Sequence, residues 1–380
     1  MKKSVTDTLR ISTVPLPGGI RHCYVSATMS LASAPEMFHR VTEAVSNCNA
    51  RILSLVAFAP PGASHMGMRS LEAAFGVPEW PLAWLEHPHG DGPDAVSCQI
   101  FALSGAPVRR LESAGRIIGS VYESESAEFC LMGSLLPSGQ SLSRGEQCRR
   151  LFETMEAALG GAGMNFHHVV RTWFYLDRIL SWYDDFNAVR TAFFTKRGMM
   201  PGSYPASTGV GMTNPQGAAI LGSALAVRPK GKDFTVKEVD STLQCAASDY
   251  KSSFSRAVEM AMPGFRTLHV SGTASIGRDG GTVHVGDVDG QIELALLAVR
   301  DLLLSRGMDW PDVNRAVAYC ADLRDVPRLA RCLERQGVTE LPLAVAHADI
   351  CREDLLFEIE IEAATALVPD PPSAALGAQI

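Results

Sequence analysis

Two stretches of this chain repeat each other 144 residues apart, and any fold has to accommodate that repetition. At this offset Gln147 matches Gln291, Leu159 matches Leu303, Gly163 matches Gly307 and Met164 matches Met308. The same spacing pairs Val169 with Val313, Arg171 with Arg315 and Tyr175 with Tyr319. Identities on one helix-turn-strand corner mark two copies of a supersecondary unit that buries its apolar faces against its neighbours.

Hydrophobic periodicity fills in the unit. In the first copy it predicts a hairpin over 116–122 and 128–136 and a helix over 146–161 with Leu151, Phe152, Met155 and Leu159 on one face. Gly163 stops that helix. A strand over 169–176, a helix over 182–195 and strands over 205–210 and 218–227 follow. The second copy gives strand 267–276, a glycine-rich turn, helix 290–305, strand 313–320, helix 326–336 and strands 343–348 and 355–364. Both read as ββαβαββ-type units. The expected fold class is therefore α+β, with mixed sheets and helices packed on one face of each.

Residues 1–115 read as a third, degenerate copy. It has a strand over 21–29, a helix opened by a Ser33-Ala-Pro-Glu36 capping box, a strand over 51–58, a loop over 61–95 and a strand over 96–103. The expected domains are 1–115, 116–230 and 254–366, with a polar linker over 231–253 and a frayed tail over 367–380.

Near the end, Phe357, Ile359 and Ile361 alternate with Glu358, Glu360 and Glu362, so a strand there puts three carboxylates on one face. Like charges two residues apart repel, so that face is either solvated or put to use. A carboxylate desolvated between like charges has a raised pKa, as a general acid at neutral pH requires. Cys351 lies just upstream.

Composition narrows the functions. The net charge of −7 argues against a nucleic-acid surface, which needs clustered Lys and Arg. Nine cysteines without C-x-x-C spacing fit a reducing, cytoplasmic setting rather than a disulfide framework. There is no apolar leader or membrane-length apolar run, so no membrane partner is expected. His87-Pro-His89, His167-His168 and Asp91-Gly-Pro-Asp94 lack metal-ligand spacing, and no Walker, Rossmann or nucleophile-elbow fingerprint is present. No metal or cofactor is expected.

The order of elements resembles the Rid (YjgF-like) family, small α+β subunits of chorismate-mutase-like fold that assemble as trimers around intersubunit clefts. Phe254-Ser-Arg-Ala257, Val270-Ser-Gly-Thr273 and Phe357-Glu-Ile-Glu360 fall where that family has Tyr-Ser-Gln-Ala, Val-Ser-Gly-Gln and its closing hydrophobic-Glu-Ile-Glu strand. Asp185-Phe-Asn187 followed by Phe193-Phe194 resembles the family's Asn-containing helix. The resemblance covers roughly 115–366 and implies tandem Rid-like units, as a pseudo-trimeric monomer or a homotrimer. It departs at Pro205-Ala-Ser-Thr208, where deaminating Rid enzymes carry a carboxylate-binding Arg.

The departures resemble a subgroup, the chorismatases, which remove pyruvate from chorismate. The matching segments are Arg171-Thr-Trp-Phe-Tyr175, Pro205-Ala-Ser-Thr-Gly209, Phe254-Ser-Arg256, Ser271-Gly-Thr-Ala274 and Cys351 through Glu358. The resemblance implies that Glu358 protonates the methylene of the enolpyruvyl ether, and that Cys351 marks the subclass making 3-hydroxybenzoate rather than a dihydroxycyclohexadiene carboxylate.

Chorismate is a dianion, and Arg171, Arg190 and Arg256 are the candidate clamps. Tyr175, Thr208 and Thr273 are candidate hydrogen-bonding groups, and Tyr183 is another. Each has a plainer alternative. Arg171 recurs as Arg315 and so suits a structural part in both copies, Arg190 suits a helix surface, and Cys351 suits a small buried hydrophobe. Two other functions stay open at this point, a Rid-type enamine or imine deaminase and a non-catalytic small-molecule binding protein.

Overall fold

The computed structural model describes residues 8–88 and 94–366. The expected tail, His89 and Asp91 lie outside the described residues. The first third comprises β1 (Thr8–Pro15), β2 (Arg21–Ser30), α1 (Ala34–Asn47), β3 (Arg51–Ala59), α2 (Ser64–Phe75), β4 (Leu82–Glu86) and β5 (Ala95–Ser104). The middle third comprises β6 (Arg109–Ser113), β7 (Arg116–Glu123), β8 (Ala127–Leu135), α3 (Arg144–Gly161), β9 (Val169–Leu176), α4 (Tyr183–Lys196), β10 (Ala206–Gly211) and β11 (Ile220–Pro229). The last comprises β12 (Thr235–Val239), β13 (Ala257–Met262), β14 (Phe265–Ala274), α5 (Val288–Ser305), β15 (Val313–Cys320), α6 (Val326–Arg335), β16 (Leu343–His347) and β17 (Phe357–Ala366).

These strands form three mixed sheets, ordered β1-β2-β5-β3-β4, β10-β9-β11-β8-β7-β6 and β12-β13-β14-β17-β15-β16. In each, one edge is a parallel pair: β3 with β4, β9 with β10, β15 with β16. One face of each sheet is covered by its own two helices, giving three separate apolar cores. The opposite faces meet in a shared central core that takes Phe58 from the first sheet, Tyr175 from the second and Tyr319 from the third. The expected mixed sheets with helices on one face are present, and a tandem arrangement of units accounts for them.

The repeated residues perform the same local task twice. Gln147 donates to the Gln140 and Leu142 carbonyls and accepts from Ala219 N–H, tying α3 to the start of β11. Gln291 donates to the His284 and Asp354 carbonyls and accepts from Leu356 N–H, tying α5 to the start of β17. Gly163 and Gly307 both take φ of +70°, the left-handed stop the helix end needs.

Three local expectations are corrected. Ser33 is the N-cap of α1 but makes no side-chain cap bond, because its hydroxyl pairs with that of Ser30 at 3.0 Å. The stretch 61–95 is not one loop but contains α2 and β4. Gly67 there makes helix–strand contact possible, since a Cβ on it would lie 2.0 Å from the Trp84 ring. Within the stretch expected as a linker, Thr235–Val239 is an edge strand pairing with β13.

Candidate active site

Strand β17 is placed by its apolar residues. Phe357, Ile359 and Ile361 are buried against α5 in the third helix-side core. At about 1.5–3 kcal/mol each, they force Glu358, Glu360 and Glu362 toward the middle of the molecule. None of the three is solvated: Glu358 is 4%, Glu360 0% and Glu362 7% exposed. The solvated-face alternative is therefore excluded, and each buried carboxylate has to be neutralised or left protonated.

Glu360 is neutralised by the repeat itself. Arg171 Nη2 lies 2.8 Å from one carboxylate oxygen and Arg315 Nη2 2.8 Å from the other, with Trp173 Nε1 donating at 3.0 Å. Burial pushes the Glu360 carboxyl up, but Arg315, Arg171 and hydrogen bonds from Thr208 and Trp173 outweigh it and hold it below the usual range. Glu362 pairs with Arg315 at 3.3 Å.

Glu358 has neither kind of partner among the described residues, and its carboxyl faces a cavity of about 440 Å³ between the second and third units. That volume suits a small-molecule site, which typically spans about 300–1,000 Å³. Burial first, then the charge of Glu360, pushes the Glu358 carboxyl up to about 8, against a smaller downward pull from Arg171 and Arg256. Its position depends on Gly272. A Cβ there would lie 1.9 Å from Glu358 Oε1, so only glycine lets the acid rest against that backbone. Gly272 sits in a bulge of β14, where register with β17 slips between Val270 and Thr273.

The cavity walls come from α4, from the segment leading into β13, and from the turn before β17. Arg190 donates to Asn187 Oδ1 at 2.6 Å and lies over the Phe186 and Phe254 rings. Arg256 donates from Nε to the Cys245 carbonyl at 2.9 Å, and Arg352 from Nη1 to the Gly280 carbonyl at 2.8 Å. The guanidinium carbons of Arg256 and Arg352 lie 5.4 and 5.5 Å from the Tyr250 ring centre. No carboxylate within ion-pair distance of Arg190, Arg256 or Arg352 is recorded among the described residues. Buried Arg190 Nε and Arg256 Nη2 have no hydrogen-bond partner among the described residues. Three arginines without an ion-paired carboxylate, around the buried Glu358 and with Asp184 and Asp185 exposed at the rim, make a receptor for an anionic ligand.

Of the residues singled out from sequence, Glu358, Cys351, Arg190 and Arg256 line this cavity, as does Tyr183. Cys351 is held as a neutral thiol: burial, then Glu358, pushes it up to about 12. Arg171, Tyr175, Thr208 and Thr273 lie behind the wall. Arg171 is taken up by Glu360 and by Thr208 Oγ1 at 2.6 Å, Tyr175 packs in the central core, and Thr273 Oγ1 donates to the Ser271 carbonyl at 2.8 Å. Sequence reasoning missed Tyr250, Arg352, Asn187 and Gly272 as wall or floor residues. Asn187 and Gly272 do fall in segments that carry the family resemblance, and a glycine inside a strand pattern is a signal of close approach that could have marked Gly272.

Register gives the counterparts of Glu358 in the other units. Glu358 stands opposite Tyr319, Leu221 opposite Tyr175 and Ser97 opposite Phe58. The corresponding clefts carry no acid at this position.

The architecture is three α+β units, each a mixed sheet with two helices on one face, repeated along one chain. More narrowly it is the chorismatase fold: a chorismatase crystal structure superposes with a TM-score of 0.60, covering 82% of this chain and 92% of that chain at 22% identity. The chain is homologous to curated chorismatases. It is 32% identical over 220 residues to a chorismatase of Streptomyces rapamycinicus, covering 52% of this chain and 64% of that protein. It is 25% identical over 270 residues to a 3-hydroxybenzoate synthase of Streptomyces hygroscopicus, covering 64% of this chain and 75% of that protein. The chain thus spans less than two thirds of the length of the first of these relatives. No family model matches it.

Proposed function

We propose that this protein cleaves the enolpyruvyl ether of chorismate, releasing pyruvate and a hydroxybenzoate, with 3-hydroxybenzoate the favoured product. The observation that carries the reading is Glu358, a buried carboxyl held up to about 8 and facing a cavity with three arginines that no carboxylate ion-pairs among the described residues. An enol ether breaks when its terminal carbon is protonated, leaving an oxocarbenium ion. A carboxylic acid kept neutral near pH 7 in a dry site supplies that proton. Arg256 and Arg190 hold the two carboxylates, and the neutral thiol of Cys351 shapes the pocket beside the acid. The Cys351 match and the synthase relative favour 3-hydroxybenzoate over the diol. No cofactor is required for this chemistry.

A Rid-type deaminase needs a guanidinium where this chain has Pro205-Ala-Ser-Thr208, which speaks against that activity. A purely binding role leaves the protonated Glu358 unexplained. The test is to incubate the purified protein with chorismate, following pyruvate by a coupled dehydrogenase and the aromatic product by chromatography. Pyruvate release is expected, falling by about 10²–10⁴-fold in Glu358→Gln with unchanged circular dichroism. Indifference to chorismate together with ammonia release from 2-iminoacids would establish the deaminase instead.

A further inference from the structure

The hydroxyl of Thr208 sits at a junction behind the acid. It accepts from Arg171 Nη2 at 2.6 Å and from the backbone N–H of Gly272 at 3.0 Å, and it hydrogen-bonds Glu360. A threonine hydroxyl has two acceptor lone pairs and one donor, so all its capacity is used. Both donors it receives are neighbours of Glu358. The Gly272 peptide lies in the β14 bulge, outside the regular ladder, and a Cβ on Gly272 would fall 1.9 Å from Glu358 Oε1. Arg171 also acts electrostatically on Glu358.

We propose that Thr208 is a positioning residue whose hydroxyl captures the Gly272 N–H and one Arg171 N–H, keeping both donors off the Glu358 carboxyl so that this acid stays protonated. The proposal rests on the reading of Glu358 as the proton donor. Its physics is that a hydrogen bond donated to a carboxylate favours the charged form. A bulge peptide whose N–H loses its acceptor turns toward the next one available, and here that is the acid lying against it. A second positively charged donor released beside Glu358 acts in the same direction.

Glu360, on the same strand as Glu358, loses its hydrogen bond when the Thr208 hydroxyl is removed but keeps Arg171, Arg315 and Trp173 as partners. The remaining charged and titratable groups around the cavity make no hydrogen bond to Thr208 among the described residues: Cys351 and Arg352 on the turn before β17, Tyr250 and Arg256 ahead of β13, and Tyr183, Asp184, Asp185 and Arg190 on α4.

The test compares Thr208→Val, which keeps the shape and removes the hydroxyl, with Thr208→Ser, which restores it, in the full chain. Two readouts are taken across pH: kcat and KM for pyruvate release from chorismate, and the protonated-carboxyl stretch of Glu358 in the ligand-free protein by difference infrared spectroscopy, with Glu358→Gln as the blank. In Thr208→Val the alkaline limit of kcat and the infrared titration are both expected to move down by about one pH unit. KM at pH 6 should change less than twofold, and Thr208→Ser should behave as the parent.

An unmoved infrared titration in Thr208→Val overturns the proposal, whatever happens to activity. So does a tenfold rise in KM with an unmoved alkaline limit, which would place the hydroxyl on the substrate. If the parent releases no pyruvate but the infrared titration still shifts, the chorismate reading fails and the positioning role stands. If Thr208→Val does not fold, Thr208→Ala is read by the same criteria.

Discussion

A buried acid that stays protonated near neutrality is a source of instability as well as reactivity, and Glu358 shows both sides. Its carboxyl is held at about 8 in the fold, against about 4.3 in an unfolded chain. Between those values the folded state keeps a proton that the unfolded state has released. Stability from this group is therefore fully present below about pH 4.3 and is lost progressively as pH rises toward 8. Glu358→Gln, which does not titrate, should gain on the order of a few kcal/mol relative to the parent across that window, read by urea denaturation at pH 5 and pH 8. The same ionisation predicts that kcat for pyruvate release declines above about pH 8, while the acid limb reflects other groups. The acid was readable from sequence because alternation put it opposite Phe357 and Ile359 in a strand. The part played by Arg171 was only half readable. Its recurrence as Arg315 pointed to structure, but the carboxylate that both arginines share lies 189 residues from Arg171, on a strand of another sheet.

Among the elements, the bulge in β14 matters most to the site. Gly272→Ala should push the Glu358 carboxyl off the backbone it rests on, since a methyl group at 1.9 Å has no room. A displacement of about 1 Å can cost about 10²-fold in rate, so pyruvate release should fall by that order with modest loss of thermal stability. A fall in melting temperature with unchanged kcat would contradict this. The two clear repeat units were legible at this scale because long periodic helices and β-branched strands carry their own signal. The strand 169–176 and the strand 313–320 were located to the residue. The first unit was harder. Its α2 and β4 lie in a stretch rich in Pro, Gly and His, and their stability comes from packing of Trp84 over Gly67 rather than from local pattern. Strand β12 escaped notice because a short edge strand with Lys237 exposed and Glu238 half-buried looks like polar connecting chain.

For the whole molecule, the Arg171–Glu360 ion pair binds the second sheet to the third, and Arg315 completes the cluster from within the third, through groups 0–11% exposed. Removing one partner of such a buried cluster strands a charge and typically costs about 3–5 kcal/mol. Arg315→Met should lower unfolding stability by about that much in denaturant melts, whereas substitution of the exposed Arg324 should change it by less than about 1 kcal/mol. The three-sheet architecture was visible as a repeat, but its open cleft was not, since that depends on how β10 and β14 abut. Register places serine and leucine where the other two clefts would need an acid, so calorimetry with a slow-turnover dicarboxylate analogue should give one ligand per chain.

That asymmetry has a consequence for how such a protein can change. In a ring of identical chains, symmetry copies every substitution into every interface, so a residue that sharpens one pocket burdens all of them. Here a single polypeptide supplies all three sheets, and a mutation at position 97 or 221 leaves the working pocket untouched. Two clefts are released to serve as mortar, and the third is free to become a specialist.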